Sequence, residues 1–318
     1  MDLLKELEGC RTILITGHIR PDGDCIGSVM GTYLYLKNAL KDAVIVPMIE
    51  KPASEFDFIT DIADIRGDFQ TDISRFDAFI GLDSSSSDRY GDALRFFDDA
   101  GKRIIIDHHI SNDGFGDVSV VDPKASSTCE LLFGLFEERF IDINVAEALY
   151  VGVIHDTGVL RYSNVTPETL VVTSKLISYG FDYPRIIDET FYEKTRIQNE
   201  MLGRALVESI LFMDGKCIVS KIDRETMEFY GATPHDLEGI VNQLKYTKGV
   251  EVAIFMYELD DQSYKVSLRS GGNVDVAKIA KFYNGGGHVR AAGFTMSGSF
   301  HDVVNNLSDS IAMQLEGA

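Results

Sequence analysis

Three short runs in the first half of the chain are apolar almost without interruption: Thr12–Thr16 (TILIT), Ala78–Leu82 (AFIGL) and 103–106 (RIII). A strand with one face in water alternates apolar and polar residues, so a run without alternation must be covered on both faces. Between these runs lie stretches whose apolar residues recur near a spacing of 3.6, which predicts helices over 27–40, 126–139, 145–154 and 167–179. A further strand is expected over 43–49. Strands that alternate with helices and are apolar on both sides are best buried in a parallel sheet with helices on both faces. The first half is therefore expected to be an α/β domain.

The second half has another rhythm. Residues 206–213 and 217–222 flank Asp214-Gly215, a hairpin signal, and 250–257 and 264–268 flank Asp260-Asp261-Gln262. Helices are expected over 233–244 and 300–315. This antiparallel pattern predicts a smaller α+β domain. A chain of 318 residues is long for one core. The expected division is a first domain over 1–185, a linker over 186–200 and a second domain over 201–318.

Lys plus Arg number 30 against 50 Asp plus Glu, a formal charge of −20. Such a surface repels long polyanions and excludes a protein that grips a duplex or a long single strand. A small phosphate-bearing ligand remains compatible with it if cations are concentrated in one cleft. The cysteines Cys10, Cys25, Cys129 and Cys217 are scattered, with no C-x-x-C pair. That argues against a disulfide framework or a structural zinc site and for a reducing cytoplasm. The N-terminal MDLLKELEGC has neither the basic nor the apolar region of a secretion signal. No run approaches the ~20 apolar residues of a membrane span. Asn164-Val165-Thr166 fits a glycosylation sequon, which in a cytoplasmic protein is coincidence.

The chemistry is concentrated where apolar runs end. His18, Asp22 and Asp24 follow the first strand, in a loop shaped by Pro21 and Gly23. Such loops, at the carboxyl ends of parallel strands, are where open α/β sheets bind ligands. One imidazole and two carboxylates suit Mn, Zn or Fe better than Mg. Asp83 ends a second apolar run and Asp107-His108-His109 a third. A carboxylate there is costly unless paired, capped or metal-bound. In an extended chain two consecutive histidines point in opposite directions, so one is expected toward a metal and the other toward substrate or supporting groups. Asp156, in His155-Asp156-Thr157-Gly158, follows an apolar helix. Each piece alone has a bland explanation as a solvated loop or turn residue. Together, on one rim, they make a ligand set large enough for two metals.

In order, H-x-x-x-D-x-D (18–24), the lone Asp83, D-H-H (107–109) and D-T-G (156–158) resemble the motifs of the DHH phosphoesterase superfamily. Gly285-Gly286-Gly287-His288, followed by Ala291-Ala292-Gly293, resembles the G-G-G-H signature of its DHH-associated substrate domain. The resemblance implies an active site in the cleft between two domains. It implies that His18 and Asp22 bind one metal, that Asp24, His108 and Asp156 bind the other, and that Asp83 bridges them. His109 would contact the phosphate and stabilise developing charge, and Asp107 would orient the neighbouring histidines. Arg269, in S-L-R-S, would grip a phosphate or base together with Gly285, Gly286, Gly287 and His288, the glycines forming an exposed backbone nest. Arg89 is a further phosphate-binding candidate. The implied cofactors are two divalent ions, Mn²⁺ first, with Mg²⁺ or Co²⁺ as alternatives.

The implied reaction is hydrolysis of short oligoribonucleotides, of 3′,5′-bisphosphate nucleotides such as pAp, or of both, by a hydroxide activated between the metals. The alternatives are a cyclic di-AMP or pApA phosphodiesterase and, from another class, a nucleotide-binding regulator without turnover. The complete ligand set speaks against the regulator. The implied partners are short RNA or small nucleotides, with neither long duplex nor membrane, and by resemblance alone a homodimer. His155 and Cys25 are expected to be structural, and His235 and His301 to lie on the surface.

Overall fold

The structure is a computed structural model that describes residues 1–260 and 262–316, the side chains of Asp260 and Glu316 excepted. Asp261, in the expected second turn, lies outside the described residues. The chain forms two compact units, Met1–Glu193 and Lys194–Ala318. The division falls inside the expected linker, much of which is helical.

The first unit runs α1 (Leu3–Glu6), β1 (Thr12–Thr16), α2 (Gly23–Ala39), β2 (Val44–Pro47), β3 (Ala78–Leu82), β4 (Lys102–Asp107), β5 (Val118–Val121), α3 (Thr128–Leu135), α4 (Ile143–Asp156), α5 (Pro167–Ile177) and α6 (Tyr183–Ile187), then a π-helical turn at Asp188–Tyr192. Its sheet has the order β2-β1-β3-β4-β5, and every pairing is parallel. Successive residues of the apolar runs feed two different cores. Ile13, Ile15, Ile80, Ile104 and Ile106 join the side chains of α2, α3 and α4. Leu14, Phe79 and Ile105 point the other way, into a cluster with Phe76, Tyr90 and Phe97. That second face is closed largely by the 3-10 helical segment Ser87–Phe96. The two-sided burial is why these strands show no alternation.

Strand β5 is absent from the sequence reading. It sits at the sheet edge, is half exposed and reads V-S-V-V, so it carries no long apolar run. Helix α2 begins four residues before the expected start because the Asp22 side chain accepts hydrogen bonds from Asp24 N and Cys25 N. Capping fixed that boundary, and apolar spacing does not report it.

The second unit runs α7 (Arg196–Val207), β6 (Ile210–Phe212), β7 (Cys217–Ile222), α8 (Arg224–Tyr230), α9 (Ile240–Lys245), β8 (Val252–Asp260), β9 (Ser263–Ser270), α10 (Val276–Phe282), β10 (Gly286–His288), β11 (Ala291–Ser297) and α11 (Phe300–Glu316). Its sheet has the order β10-β11-β9-β8-β7-β6. The expected strand over 206–213 is shortened because α7 continues to Val207. The expected helix over 233–244 is broken into a 3-10 turn at Pro234–Leu237 and α9. Strands β7 and β8 pair in parallel. The helices between them supply the crossover that a parallel pair requires. Among the described residues no helix is long and apolar enough to cross a membrane.

Candidate active site

Asp22 and Asp24 are placed by the start of α2, directly after β1. Asp24 is 1% exposed, and both of its carboxylate oxygens accept backbone hydrogen bonds from the first turn of α3: Thr128 N at 2.6 Å and Cys129 N at 3.0 Å. The N-terminal ends of α2 and α3 thus meet at this carboxylate and offset part of the cost of burying it. This approach depends on α4 carrying a glycine: a Cβ at Gly152 would lie 2.5 Å from Asp24 Oδ1 and 2.2 Å from Cys129 Sγ.

Asp83 follows β3 with φ +50°, the left-handed region that a residue other than glycine occupies at a cost. The turn sets its carboxylate 3.5 Å from His18 Nε2 and 3.7 Å from both His108 Nε2 and His109 Nδ1. The Thr128 hydroxyl donates to it at 3.1 Å. Asp22 lies 3.6 Å from His18 Nε2. On the other side, His108 Nε2 is 3.1 Å from Asp156, the last residue of α4, and 3.9 Å from Asp24. The structure therefore brings His18, Asp22, Asp24, Asp83, His108 and Asp156 together around Asp83. Candidate ligand atoms of Asp24, His108 and Asp156 all lie within 4.8 Å of one another, as do those of His18, Cys25 and Asp83, and of Asp83, His108 and His109.

The expectation that His108 and His109 point in opposite directions is corrected. Their ring centroids are 5.0 Å apart and both rings face Asp83. Strand β4 ends at Asp107, so the chain is no longer extended across the pair. Asp107 is fully buried. It accepts hydrogen bonds from His109 Nδ1 at 2.7 Å, Asn112 Nδ2 at 2.8 Å and His108 N at 2.9 Å. Burial pushes its carboxyl up, but the bonds from His109 and Asn112 outweigh that and hold it below the usual range.

The orientation of the other two imidazoles suits metal ligation. His18 Nδ1 lies 2.9 Å from the Ile19 carbonyl and His108 Nδ1 lies 3.3 Å from that of Ala125. A carbonyl only accepts, so each Nδ1 carries the proton and each Nε2 faces the carboxylates. The surrounding carboxylates also attract positive charge strongly. Burial pushes His18 down, yet hydrogen bonds to Asp22 and Asp83 bring it up to about 10. His108 is likewise pushed up to about 10, against burial, by its bond to Asp156 and the charges of Asp24 and Asp83. Asp24 and Asp156 are raised first by burial and then by their carboxylate neighbours. Crowded buried carboxylates and imidazoles with inward nitrogens are a donor set that divalent cations fit.

Three likenesses to known proteins bear on what this rim belongs to. Residues 12–153 match the DHH family, N-terminal domain, and residues 214–316 match the DHHA1 domain. The chain belongs to the DHH family. This DHH protein is 29% identical over 303 residues to the Thermus thermophilus protein named bifunctional oligoribonuclease and PAP phosphatase NrnA, covering 93% of this chain and 87% of that one. The Bacillus subtilis protein of the same name is 27% identical over 297 residues, covering 92% and 91%. The fold matches a crystal structure of an exopolyphosphatase-related protein from Bacteroides fragilis with TM-score 0.86 and 26% identity, covering 98% and 94%.

Three further residues of the DHH unit escape the motif reading. Asn112 ties Asp107 to the Ser84 carbonyl, its amide donating at 2.8 and 3.0 Å. Thr128 holds both Asp24 and Asp83. Asn164, the residue of the apparent sequon, donates to the carbonyls of Ser126 and Asp156 at 2.9 and 3.1 Å and so fastens the end of α4. None belongs to a pattern of potential ligands. The only signal in sequence is an amide or hydroxyl close to a motif. Arg89 is placed beside the first loop, since its carbonyl accepts from Ile19 N at 2.7 Å. His155 is packed against Phe56 and Phe191, and burial pushes it down to about 4.

In the second unit, Arg269 pairs across β9–β11 with Ala291, which pairs across β10–β11 with His288. Gly286 and Gly287 lie in the exposed edge strand β10 and Gly285 just before it, so the expected nest takes the form of a sheet edge. Gly287 has φ +143°, and a Cβ on it would lie 2.4 Å from the Ala291 carbonyl, so only glycine allows the two strands to approach.

Proposed function

We propose that this DHH protein is a metal-dependent phosphoesterase that hydrolyses short oligoribonucleotides and 3′,5′-bisphosphate nucleotides such as pAp to mononucleotides. The observation that carries the reading is the convergence of three imidazoles on Asp83, with Asp22 on one side and Asp24 and Asp156 on the other. The names and substrates of the two curated relatives support the substrate class.

His18 and Asp22 would hold one divalent cation and Asp24, His108 and Asp156 a second, with Asp83 serving both. Mn²⁺ is the cation we assign, for the mixed imidazole and carboxylate set. When bound, such a pair neutralises phosphate charge and makes a water acidic enough to attack at neutral pH. The protein groups do the rest. The α3 N-terminus and Thr128 fix Asp24 and Asp83, so the two cation positions keep their spacing. His109 is anchored through Nδ1 on Asp107, a hydrogen bond that raises it above the ordinary histidine value, and when protonated it offers Nε2 to the phosphate as a donor. Arg89, Arg269, Gly285, Gly286, Gly287 and His288 are assigned to the phosphates or base of the substrate. We place the protein in a reducing cytoplasm, consistent with four free cysteines, and as a homodimer, which light scattering checks.

The test is turnover with Mn²⁺ of pAp, pApA, a labelled RNA of a few residues, a long RNA and cyclic di-AMP. Preference for pAp and the short RNA over the long RNA and the cycle is expected. Turnover of none of them, or full activity in Asp83→Ala, overturns the proposal.

A further inference from the structure

The outward face of the second unit's sheet carries a pattern that none of the motifs includes. Strand β9 alternates strictly. Tyr264, Val266 and Leu268 are buried in the core, while Lys265, Ser267 and Arg269 turn outward. The face is covered only in part: on β8, Ala253 and Phe255 are buried with Ile240, Val241 and Leu244 of α9, while the outward residues of β9 stay half-buried. Across the β8 ladder the outward partners are Tyr257 opposite Lys265, Phe255 opposite Ser267 and Ala253 opposite Arg269. Across the β11 ladder they are Thr295, Gly293 and Ala291. In a chain with 50 acidic and 30 basic residues, the outward positions of β9 hold two cations, Lys265 and Arg269, and the one carboxylate residue opposite an outward position in register is Asp260, across from Ser263 at the far end.

The face is also concave. The 3-10 turn Pro234–Leu237 and the start of α9 stand beside it and close a groove of about 440 Å³. Arg269 and Lys265 mark its length, and Tyr257 lines it. The volume is that of a site for one small ligand, within the usual ~300–1,000 Å³. Arg269 is held by Asn242 Oδ1 at 2.8 Å, so its guanidinium is positioned in advance. Among the described residues Lys265 has no ion-pair partner. The one carboxylate on the rim, Glu238, is 3.4 Å from His235 and highly exposed.

We infer that this groove is a second-nucleotide subsite, in which Lys265 takes the phosphate and Tyr257 the base of the nucleotide beyond the one at Arg269. The inference rests on the oligonucleotide reading above and deepens it. Lys265 and Arg269 are four residues apart on one strand, about 13 Å between Cα atoms, so their two cations lie along the groove rather than at one point. In this arrangement a bisphosphate such as pAp engages Arg269, and a longer chain engages Lys265 as well. An aromatic ring on one strand, beside a cation on the next, is the arrangement on which single strands stack without strong base preference.

The test is fluorescence anisotropy of a labelled triadenylate with the full chain in EDTA, where no cleavage interferes. It is run across salt concentrations for wild type, Lys265→Gln and Tyr257→Leu, the leucine keeping the apolar packing. Lys265→Gln should weaken binding and lower the slope of log affinity against log salt by about 0.7, the loss of one phosphate contact on a single strand. Tyr257→Leu should weaken binding roughly five- to hundredfold at unchanged slope, the loss of one stacked base. Competition by pAp should stay within twofold of wild type in both variants. Triadenylate binding that ignores both substitutions, or pAp binding that falls in parallel, overturns the subsite. If wild type shows these binding effects yet hydrolyses nothing with Mn²⁺, the groove stands and the phosphoesterase proposal fails.

Discussion

Gly152→Ala tests whether the first unit's helices position the carboxylates or merely tolerate them. The added Cβ would lie 2.2 Å from Cys129 Sγ, 2.5 Å from Asp24 Oδ1 and 2.9 Å from Cys129 Cβ. Cys129 is fully buried in the core, and Asp24 is held by two backbone donors, so none of these atoms can swing aside. Overpacking of this kind costs ~1–3 kcal/mol, and losing one hydrogen bond to a charged group a further ~1.5–3. Alanine in place of glycine within a helix returns ~0.5–1 kcal/mol. The net loss should be about 1.5–5.5 kcal/mol. In a unit of this size that lowers the melting temperature by about 3–20 °C. The assay is thermal unfolding by circular dichroism, since the chain has no tryptophan to follow. The control is Gly134→Ala in α3, an exposed position whose added Cβ meets nothing within 4 Å, which should be neutral or slightly stabilising. If Gly152→Ala melts with wild type and hydrolyses pAp at the same rate, α3 and α4 do not set the position of Asp24.

Removing divalent cations with EDTA should abolish turnover and lower the melting temperature. Restoring Mn²⁺ at a hundredfold excess over its dissociation constant should return about 2.7 kcal/mol, and no shift on titration would refute the cation site. Asp107→Asn should cut kcat by about 10–100-fold with little change in Mn²⁺ affinity measured by calorimetry, because His109 loses its anchor while the other donors stay in place. Glu251 accepts from Asn273 N at 2.8 Å, Gly272 N at 2.9 Å and Ser270 Oγ at 3.1 Å. Burial raises its carboxyl, but these bonds hold it below the ordinary glutamate value. Its folded pKa being depressed, the stability it adds is present above the unfolded value and is lost as pH falls through the folded one. Glu251→Gln should therefore unfold about 1–2 kcal/mol more easily than wild type near neutral pH and converge with it in acid, read from urea unfolding of the second unit. An offset independent of pH would contradict this.

What the sequence made legible follows from how each feature is encoded. Strands β1, β3 and β4 could be read because both of their faces are buried, and burial leaves an uninterrupted apolar run. Strand β5 could not, because an edge strand of four residues has no such run. The six carboxylate and imidazole groups could be read because each lies at or just beyond the boundary of an apolar element, where its cost demands a reason. What the pattern could not supply was direction. Alternation assigned His108 and His109 to opposite sides, but that rule holds only while the chain stays extended, and β4 stops at Asp107. The same dependence on local backbone hid the role of the glycines near His288, whose absent side chains let one strand lie against another. Contacts made through main-chain donors, such as Thr128 N and Cys129 N on Asp24, leave no trace in residue type at all. Residue types therefore name the groups that can bind a cation, while the geometry that brings them to one point is set by helix starts, one left-handed turn at Asp83 and a glycine in α4.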